Sequence, residues 1–587
     1  MITLTIDGKQ ISVPEGTTIM KAAEQLHVYI PHLCYLEGLE ADASCGLCVV
    51  EVEGERNLTR SCARLAAEGM KIKTNTPKIR RYRRMLVELL LANHPVDCFT
   101  CERNQTCELL KLSYELGVSN IHVDRAPVHR DIDDSSVAIV RDSSKCVLCG
   151  RCIQVCEKVQ SVNAIDYINR GERMKVAPAA GLPLGSTQCV NCGQCIHVCP
   201  VGAIREQTCV DDVWEAIADP TKHVVVQEAP AVRVALGEDL GLSVGTLVTG
   251  RMHAVLRKLG FDAVFDTNFS ADLTIMEEGS ELVKRVTGNG ILPQFTSCCP
   301  AWIKFAEHFY QELLPHISTC KSPQQMFGAL TKTYYAEEAG IDPASIVSVS
   351  IMPCTAKKYE AQRPEMNDSG YRDVDYVLTT RELSRMIKQA GIDFANLPDE
   401  KQDDLMGVYT GAGTIFGVTG GVMEAALRSG YKLITGREVD RVDLEPVRGM
   451  EDIREATVDI DGLKLNVAIV YGLAAARKLI EEVKAGKSKY HFIEIMACPG
   501  GCVGGGGQPL GFSLSERAKR GDSLYAEDKA LPLRRSHENP AIIKVYEDYL
   551  GEPLGHKSHK LLHTTYTPRH LDVLSYTSGT VIDKVLS

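Results

Sequence analysis

Twenty-two cysteines, most of them set in short and regularly spaced blocks, constrain this chain more than any other feature. With 587 residues the chain is too long to be a small disulfide-stapled scaffold. Its opening, Met1-Ile2-Thr3-Leu4-Thr5-Ile6-Asp7-Gly8, lacks the basic, then apolar, then small-residue order of a secretory leader. The longest apolar run, near Val467–Ala476, is about half of the ~20 residues a membrane span needs. A cytoplasmic protein without a membrane span is therefore expected, and in a reducing compartment thiols persist as metal ligands or catalysts. The formal charge of −11 argues against nucleic acid or an anionic membrane as the main partner. At 44% hydrophobic and 24% charged residues the composition is that of a globular chain, and the length suggests about four domains.

The blocks mark the domains. Residues 1–26 read as strand, turn and strand around Asp7-Gly8, followed by a helix from Thr18. Cys34, Cys45, Cys48 and Cys62 follow with the spacing C-x10-C-x2-C-x13-C, a stretched form of the plant-type ferredoxin pattern that predicts a 2Fe-2S centre. Structural zinc is the alternative, but zinc sites favour two matched C-x2-C knuckles. The stretched spacing resembles the first domain of hydrogenases and complex I-like subunits. A basic helical stretch, Lys78 to Leu91, then leads to His94-x3-Cys98-x2-Cys101-x5-Cys107. Spacing alone leaves two readings equally open: zinc held by three cysteines and a histidine, or a 4Fe-4S cluster with one imidazole ligand. The position between two iron–sulfur blocks favours the cluster. A neutral imidazole in place of a thiolate should raise its potential.

The third block carries the strongest local signal. Cys146-x2-Cys149-x2-Cys152-x3-Cys156 is followed by Cys189-x2-Cys192-x2-Cys195-x3-Cys199-Pro200, the two-cluster ferredoxin run in which each fourth cysteine serves the other run's cluster. Cys146, Cys149, Cys152 and Cys199 should hold one 4Fe-4S centre, and Cys189, Cys192, Cys195 and Cys156 the second. Glu157 stands where the first run would carry proline, which leaves the ligands intact. Four clusters in about 200 residues suggest a wire for single electrons rather than purely structural centres.

From about Val210 the texture becomes alternating strands and helices, read as α/β with largely parallel sheets: Val224–Val226, Val244–Leu259, Ile346–Met352, Val467–Val470 and Phe492–Met496. The remaining cysteine blocks lie in Thr296-Ser297-Cys298-Cys299-Pro300-Ala301-Trp302, in Met352-Pro353-Cys354-Thr355-Ala356-Lys357-Lys358-Tyr359-Glu360, and in Glu494-Ile495-Met496-Ala497-Cys498-Pro499-Gly500-Gly501-Cys502 with its tail to Pro509. Two of these loops follow expected strands, where α/β folds place their sites. All three resemble, without a gap, the active-site motifs of iron-only (FeFe) hydrogenases. The upstream blocks are similar to the long members of that family, and Arg534–Pro540 and His559–Tyr566 to its small-subunit-like segment.

That resemblance implies a multidomain α/β and α+β chain. Its parts would be a β-grasp 2Fe-2S ferredoxin-like domain (1–78), a 4Fe-4S domain with one histidine and three cysteine ligands (79–125), a two-4Fe-4S ferredoxin-like domain (126–209), a large α/β H-cluster domain (210–515) and a small-subunit-like segment (516–587). It implies one 2Fe-2S cluster, three accessory 4Fe-4S clusters and an H-cluster. Cys299, Cys354, Cys498 and Cys502 would hold the cubane half, Cys502 bridging to a two-iron site with CO, cyanide and a dithiolate, which maturation proteins build. Cys298 would deliver the proton, its ordinary thiol pKa of about 8.5 letting it give and regain one near neutrality. The path would continue through Glu278, Ser318, Glu281 and Arg285. Lys357 would pair with a cyanide, and Pro230, Gln324, Met352, Phe416 and Met496 would line the pocket. Without the resemblance, Glu278 and Glu281, three apart on one helical face, would read as a solvated pair, and the lining residues as ordinary core. Cys209 and Cys320 match no motif and read as buried thiols.

The chain carries no G-x-x-x-x-G-K-[ST] loop. Gly411-Ala412-Gly413-Thr414-Ile415-Phe416-Gly417 is one residue off the dinucleotide fingerprint, and Gly504–Gly507 reads as close backbone packing. A nicotinamide or flavin site would thus belong to another subunit. The expected activity is 2H+ + 2e− ⇌ H2, in a catalytic subunit of an NAD(P)-linked, electron-bifurcating type of complex with flavin-bearing and ferredoxin partners. A stand-alone ferredoxin-dependent hydrogenase is the alternative; a hydrogen sensor or iron–sulfur scaffold would be expected to lack Cys298 or the full wire.

Overall fold

The computed structural model describes residues 1–124, 131–439 and 442–569; the boundary expected at 125/126 and residues 570–587 of the C-terminal segment lie outside them. The chain opens with the strands Ile2–Ile6 and Lys9–Val13, joined through Asp7 (φ 48°) and Gly8 (φ 84°). Two positive φ values suit the right-handed twist of a tight hairpin. Thr18 then caps the helix Ile19–Gln25 by accepting from the Lys21 N–H. Ile2–Ile6 also runs parallel to Lys71–Lys73 in a five-stranded mixed sheet, and Leu4, Ile6, Val13, Ile19, Ala22 and Val50 close the core between sheet and helix.

The basic stretch forms the helix Pro77–Ala92, with Thr76 as cap and proline in its first turn. Its Arg83 is buried and donates to the carbonyls of Leu47 (2.9 Å) and Val49 (2.7 Å), which pins the helix beneath the loop of Cys45 and Cys48. In the third block each cysteine run turns into a short helix, Arg151–Gln154 or Gln194–Val198, through a left-handed glycine, Gly150 (φ 78°) or Gly193 (φ 71°). Ile139–Asp142 pairs antiparallel with both Ile132–Asp133 and Ile204–Glu206 and braces the two runs.

The large α/β region holds two four-stranded sheets. In the first, Ala263–Asp266, His223–Glu228, Ile346–Met352 and Tyr376–Thr379 are all parallel and almost wholly buried, as continuous apolar runs covered on both faces require. In the second, Gln294–Phe295, Phe492–Met496 and Leu463–Tyr471 are parallel, and Ile453–Ile460 closes the edge as an antiparallel hairpin. All three cysteine loops of this region follow a strand, not two; the strand before Thr296 has only two residues and leaves no periodicity to read. Within 244–259 the regular element is the helix Thr249–Leu259.

The 21-residue helix Thr267–Thr287 runs through the core with Glu277, Glu278 and Glu281 buried. The C-terminal segment straps across it: Asn539 donates to Asp272 (3.0 Å), Tyr546 to Glu277 (2.5 Å), and the Thr564 N–H to the Thr319 carbonyl (2.7 Å). No helix among the described residues is long and apolar enough to cross a membrane.

Candidate active site and its electron and proton routes

Cys298, Cys299, Cys354, Cys498 and Cys502 come from three loops spread over about 200 residues and line one cavity, together with Pro230, Gln324, Met352, Lys357, Phe416 and Met496. Burial pushes the Cys354 thiol up to about 12, with the neighbouring Cys299 adding to it, and raises Cys498 well above the ordinary thiol range. A thiolate quartet in so dry a place is stable only with cations among its members. A single tetrahedral zinc would need the sulfurs about 3.8 Å apart. Among the described residues, the groups of three or more ligand atoms within 4.8 Å of one another include none of the cysteine quartets. Their spread suits a multi-iron cluster.

The Lys357 ammonium projects into this cavity and donates to the Cys298 carbonyl (3.1 Å) and Glu360 (2.8 Å). Burial alone would lower its pKa, but the Glu360 carboxylate outweighs that and keeps it charged. Glu360 also accepts from Ser322 (2.9 Å) and Gln324 (3.1 Å), so one carboxylate orients two pocket residues. A second carboxylate, Glu494, accepts from the Gly420 (2.6 Å) and Met423 (2.7 Å) N–H groups and fixes the start of the helix Gly421–Thr435 beside Phe416. The sequence reading assigned a role to neither, although Lys357-x-x-Glu360 has helical i, i+3 spacing.

Glu278 accepts from the Ser297 N–H (3.3 Å) while its other oxygen is buried without a protein partner. Burial, then the charge of Glu281, pushes its carboxyl up to about 8 despite the Ser297 hydrogen bond. Ser318 donates to Glu281 (2.7 Å), and Glu281 pairs with Arg285 (2.6 Å), which is partly exposed. Ser318, Glu281 and Arg285 are thus joined in a row, with Glu278 buried one helical turn away against the Ser297–Cys298 loop, and not on a solvated helix face. Burial also raises the Cys298 thiol well above its ordinary value, so the expectation of an unshifted pKa near 8.5 does not hold. Cys320 is buried as expected, but Cys209 is only half-buried, accepting from Lys358 (3.5 Å).

Two further cavities lie in the third block. One is lined by Cys146, Cys149, Cys152 and Cys199, the other by Cys156, Cys189, Cys192 and Cys195. The second abuts the catalytic cavity: a Cβ on Gly506 would stand 2.3 Å from the Cys192 carbonyl, and one on Gly193 2.4 Å from the Thr355 hydroxyl. Glycine at both positions lets the loops interlock, which is the close packing expected of Gly504–Gly507. The first cavity lies on the side of the N-terminal domains. Arg151 ties its run to the Tyr35 carbonyl (3.0 Å), and Arg103 donates to the Cys199 carbonyl (2.7 Å) from the loop of His94, Cys98, Cys101 and Cys107. Burial lowers the His94 pKa and keeps the imidazole neutral, as a ligand must be. In the first domain the thiols fall in pairs: Cys48 and Cys62 have their sulfurs 3.3 Å apart, and Cys34 hydrogen-bonds Cys45.

The chain is 52% identical over 581 residues to the NADP-reducing hydrogenase subunit HndD of Solidesulfovibrio fructosivorans, covering 97% of this chain and 99% of that one. The chain belongs to the iron-only hydrogenase family. Iron hydrogenase 1 of Clostridium pasteurianum is 43% identical across 96% of this hydrogenase and its own whole length. An apo variant of the FeFe-hydrogenase HydA1 from Chlamydomonas reinhardtii superposes with a TM-score of 0.55 at 48% identity, over 61% of this chain and 98% of that one. Family matches run through the hydrogenase in order. They are a 2Fe-2S iron–sulfur cluster binding domain (1–77), the NADH-ubiquinone oxidoreductase-G iron–sulfur binding region (83–122), a 4Fe-4S dicluster domain (145–203), the C-terminal domain of the iron-only hydrogenase large subunit (222–506) and the iron hydrogenase small subunit (514–569). The hydrogenase therefore interconverts protons, electrons and H2 at an H-cluster served by a 2Fe-2S centre and several 4Fe-4S centres.

Proposed function

We propose that Cys299, Cys354, Cys498 and Cys502 would hold the cubane half of the H-cluster. Cys146, Cys149, Cys152 and Cys199 hold an outer 4Fe-4S centre, and Cys156, Cys189, Cys192 and Cys195 an inner one. His94, Cys98, Cys101 and Cys107 hold the third, and the first domain binds its 2Fe-2S centre with Cys34 and Cys45 on one iron and Cys48 and Cys62 on the other. Each quartet of the third block and of the catalytic domain lines one cavity, which supports these sets. Both N-terminal domains bear on the outer run, so electrons from either reach the same centre before passing inward to Cys192 and the catalytic loops.

When bound, the two-iron half would supply the redox chemistry that makes or splits H2. The chain supplies the rest. Lys357 presents a fixed cation to an anionic ligand of the cofactor, held in place by Glu360. Cys298, which lines the cavity, holds a proton at its thiol. Glu278, still protonated near neutrality, refills it, and Ser318, Glu281 and Arg285 carry protons between Glu278 and the surface. The observation that carries this reading is the hydrogen-bonded row Ser318–Glu281–Arg285 leading to the surface, with the buried Glu278 carboxyl held by the Ser297 N–H next to Cys298.

The hydrogenase acts as the catalytic subunit of an NAD(P)-linked complex, a reading supported by its near-complete alignment with a relative named as an NADP-reducing hydrogenase subunit. A stand-alone enzyme is the second reading, favoured by the equally complete alignment with a relative whose name mentions no larger assembly. The test is hydrogen-driven NAD(P)+ reduction by the protein purified anaerobically from its source, with and without ferredoxin. NAD(P)H formation supports the complex, and a requirement for ferredoxin as co-acceptor makes it bifurcating. Reduction of ferredoxin or viologen without NAD(P)H would favour the stand-alone enzyme.

A further inference from the structure

Among the residues lining the two cavities of the dicluster region, an arginine is common to both. Arg141 borders the cavity of Cys146, Cys149, Cys152 and Cys199 and also that of Cys156, Cys189, Cys192 and Cys195. It stands in the strand Ile139–Asp142 that braces the two cysteine runs, and it is 6% exposed. One terminal nitrogen donates to the Val176 carbonyl, the other lies 3.7 Å from Asp133, and Nε is buried with no protein partner. Asp133 is its direct cross-strand neighbour in the antiparallel register, which places the two side chains on one face of the sheet.

A guanidinium in such a place is costly. Its one carboxylate partner is at long range and is itself about one-fifth exposed. A Leu or Met would fill the same volume without desolvating a charge, so packing alone does not explain the arginine. Both cavities hold four thiols, and a 4Fe-4S cluster with four thiolates is an anion that gains one more negative charge on reduction. A fixed cation between two such anions is compensated by both, and it favours the reduced form of each.

We propose that Arg141 is a shared electrostatic positioning residue of the electron wire, one buried cation that raises the potentials of the outer and inner 4Fe-4S centres together, with Asp133 as the counterion that sets how much of its charge they feel. The electron passes from one reduced centre to its oxidised neighbour with no bond made or broken and no proton moved. Because the same charge raises both centres, it leaves the difference between their potentials nearly unchanged. This rests on the assignment of the eight thiols to two clusters.

The test is an EPR-monitored redox titration of the full-length, cluster-loaded protein. In Arg141→Gln both midpoints should fall, by a tenfold change in the reduced-to-oxidised ratio at fixed potential, or about 59 mV for a one-electron couple. Arg141→Lys should stay near the wild type, and Asp133→Asn should move both midpoints the opposite way, upward. A purely structural arginine would not produce shifts of opposite sign from the two partners. Unmoved midpoints, a shift of one centre only, or a fall in Asp133→Asn would overturn the proposal. Should Arg141→Gln lose its clusters, the Asp133→Asn titration decides alone: a rise in both supports the idea and no rise rejects it. Iron content and the number of cluster signals in the wild type report separately on the ligand assignment, so a wrong assignment is distinguishable from a wrong role for Arg141.

Discussion

The dicluster region and the catalytic domain each gather thiols in fours around a cavity, but they build the surround in opposite ways. In the dicluster region six of the eight cavity-lining thiols lie in two seven-residue stretches, and the crosswise placement of Cys156 and Cys199 is the long step. In the catalytic domain the ligands arrive on three loops from two sheets, and the groups that tune the cavity, Glu278, Glu360 and Glu494, sit outside or at the ends of the cysteine motifs. A centre that only passes electrons needs ligands, which local spacing can provide, and a field, which the fold adds. A centre that also moves protons needs titratable groups at set distances, and only a tertiary fold delivers those.

The contrast breaks first at the proton line. Cys298→Ser and Glu278→Gln should each lower turnover by roughly 10²–10⁴-fold, the usual worth of a positioned acid–base group, while iron content and cluster spectra stay near wild type. Normal hydrogen evolution in either variant would remove that residue from the relay. Glu360→Gln comes next: it leaves the buried Lys357 ammonium short of its counter-charge, which typically costs about 3–5 kcal/mol. Denaturant midpoints and retention of the two-iron half should both fall; a variant as stable and as fully loaded as the wild type would show that Lys357 is held some other way.

The pH response gives a smaller effect with a definite sign. Burial raises the folded-state pKa of Glu278 to about 8 from an ordinary 4.5, so between those values the native chain keeps a proton that the unfolded chain has released. This contribution to stability is present in full below pH 4.5 and is lost as pH rises toward 8. Comparing urea midpoints of the wild type and Glu278→Gln across that range, the wild type should lose stability relative to the variant as pH rises. Parallel curves would mean that Glu278 is ionised in the folded chain. The smallest effect belongs to the accessory side. His94→Cys should keep its 4Fe-4S centre and lower its potential, since a thiolate adds negative charge where the imidazole had none. Loss of one cluster signal with zinc bound in its place would show that this loop was never an iron site.

Much of the architecture was legible because cluster ligands obey spacing rules that survive without a structure. The cysteine blocks, the hairpin at Asp7-Gly8, the helix from Thr18 and the helix near Lys78–Leu91 are local signals, and each recurs in the fold. The environment of the ligands was not legible in that way. Glu278 and Glu281 look like a solvated helical pair until the helix Thr267–Thr287 is seen buried beneath the C-terminal strap. Glu360 is one acidic residue among many until Ser322 and Gln324, about 40 residues before it in the chain, converge on it. Arg141 carries no motif, and its position between two cavities follows from a strand pairing that periodicity over four residues cannot reveal.

By itself, then, the sequence marked the thiols and the imidazole that are candidates to bind iron, and in the accessory blocks how they group, because there they recur at intervals short enough for a loop to wrap a cluster. Only the tertiary structure decided what those clusters feel and how protons reach them. Burial, charge pairing and hydrogen-bond reach are distances between residues far apart in the chain, and they come into existence when the two sheets, the buried helix and the C-terminal strap close around the site.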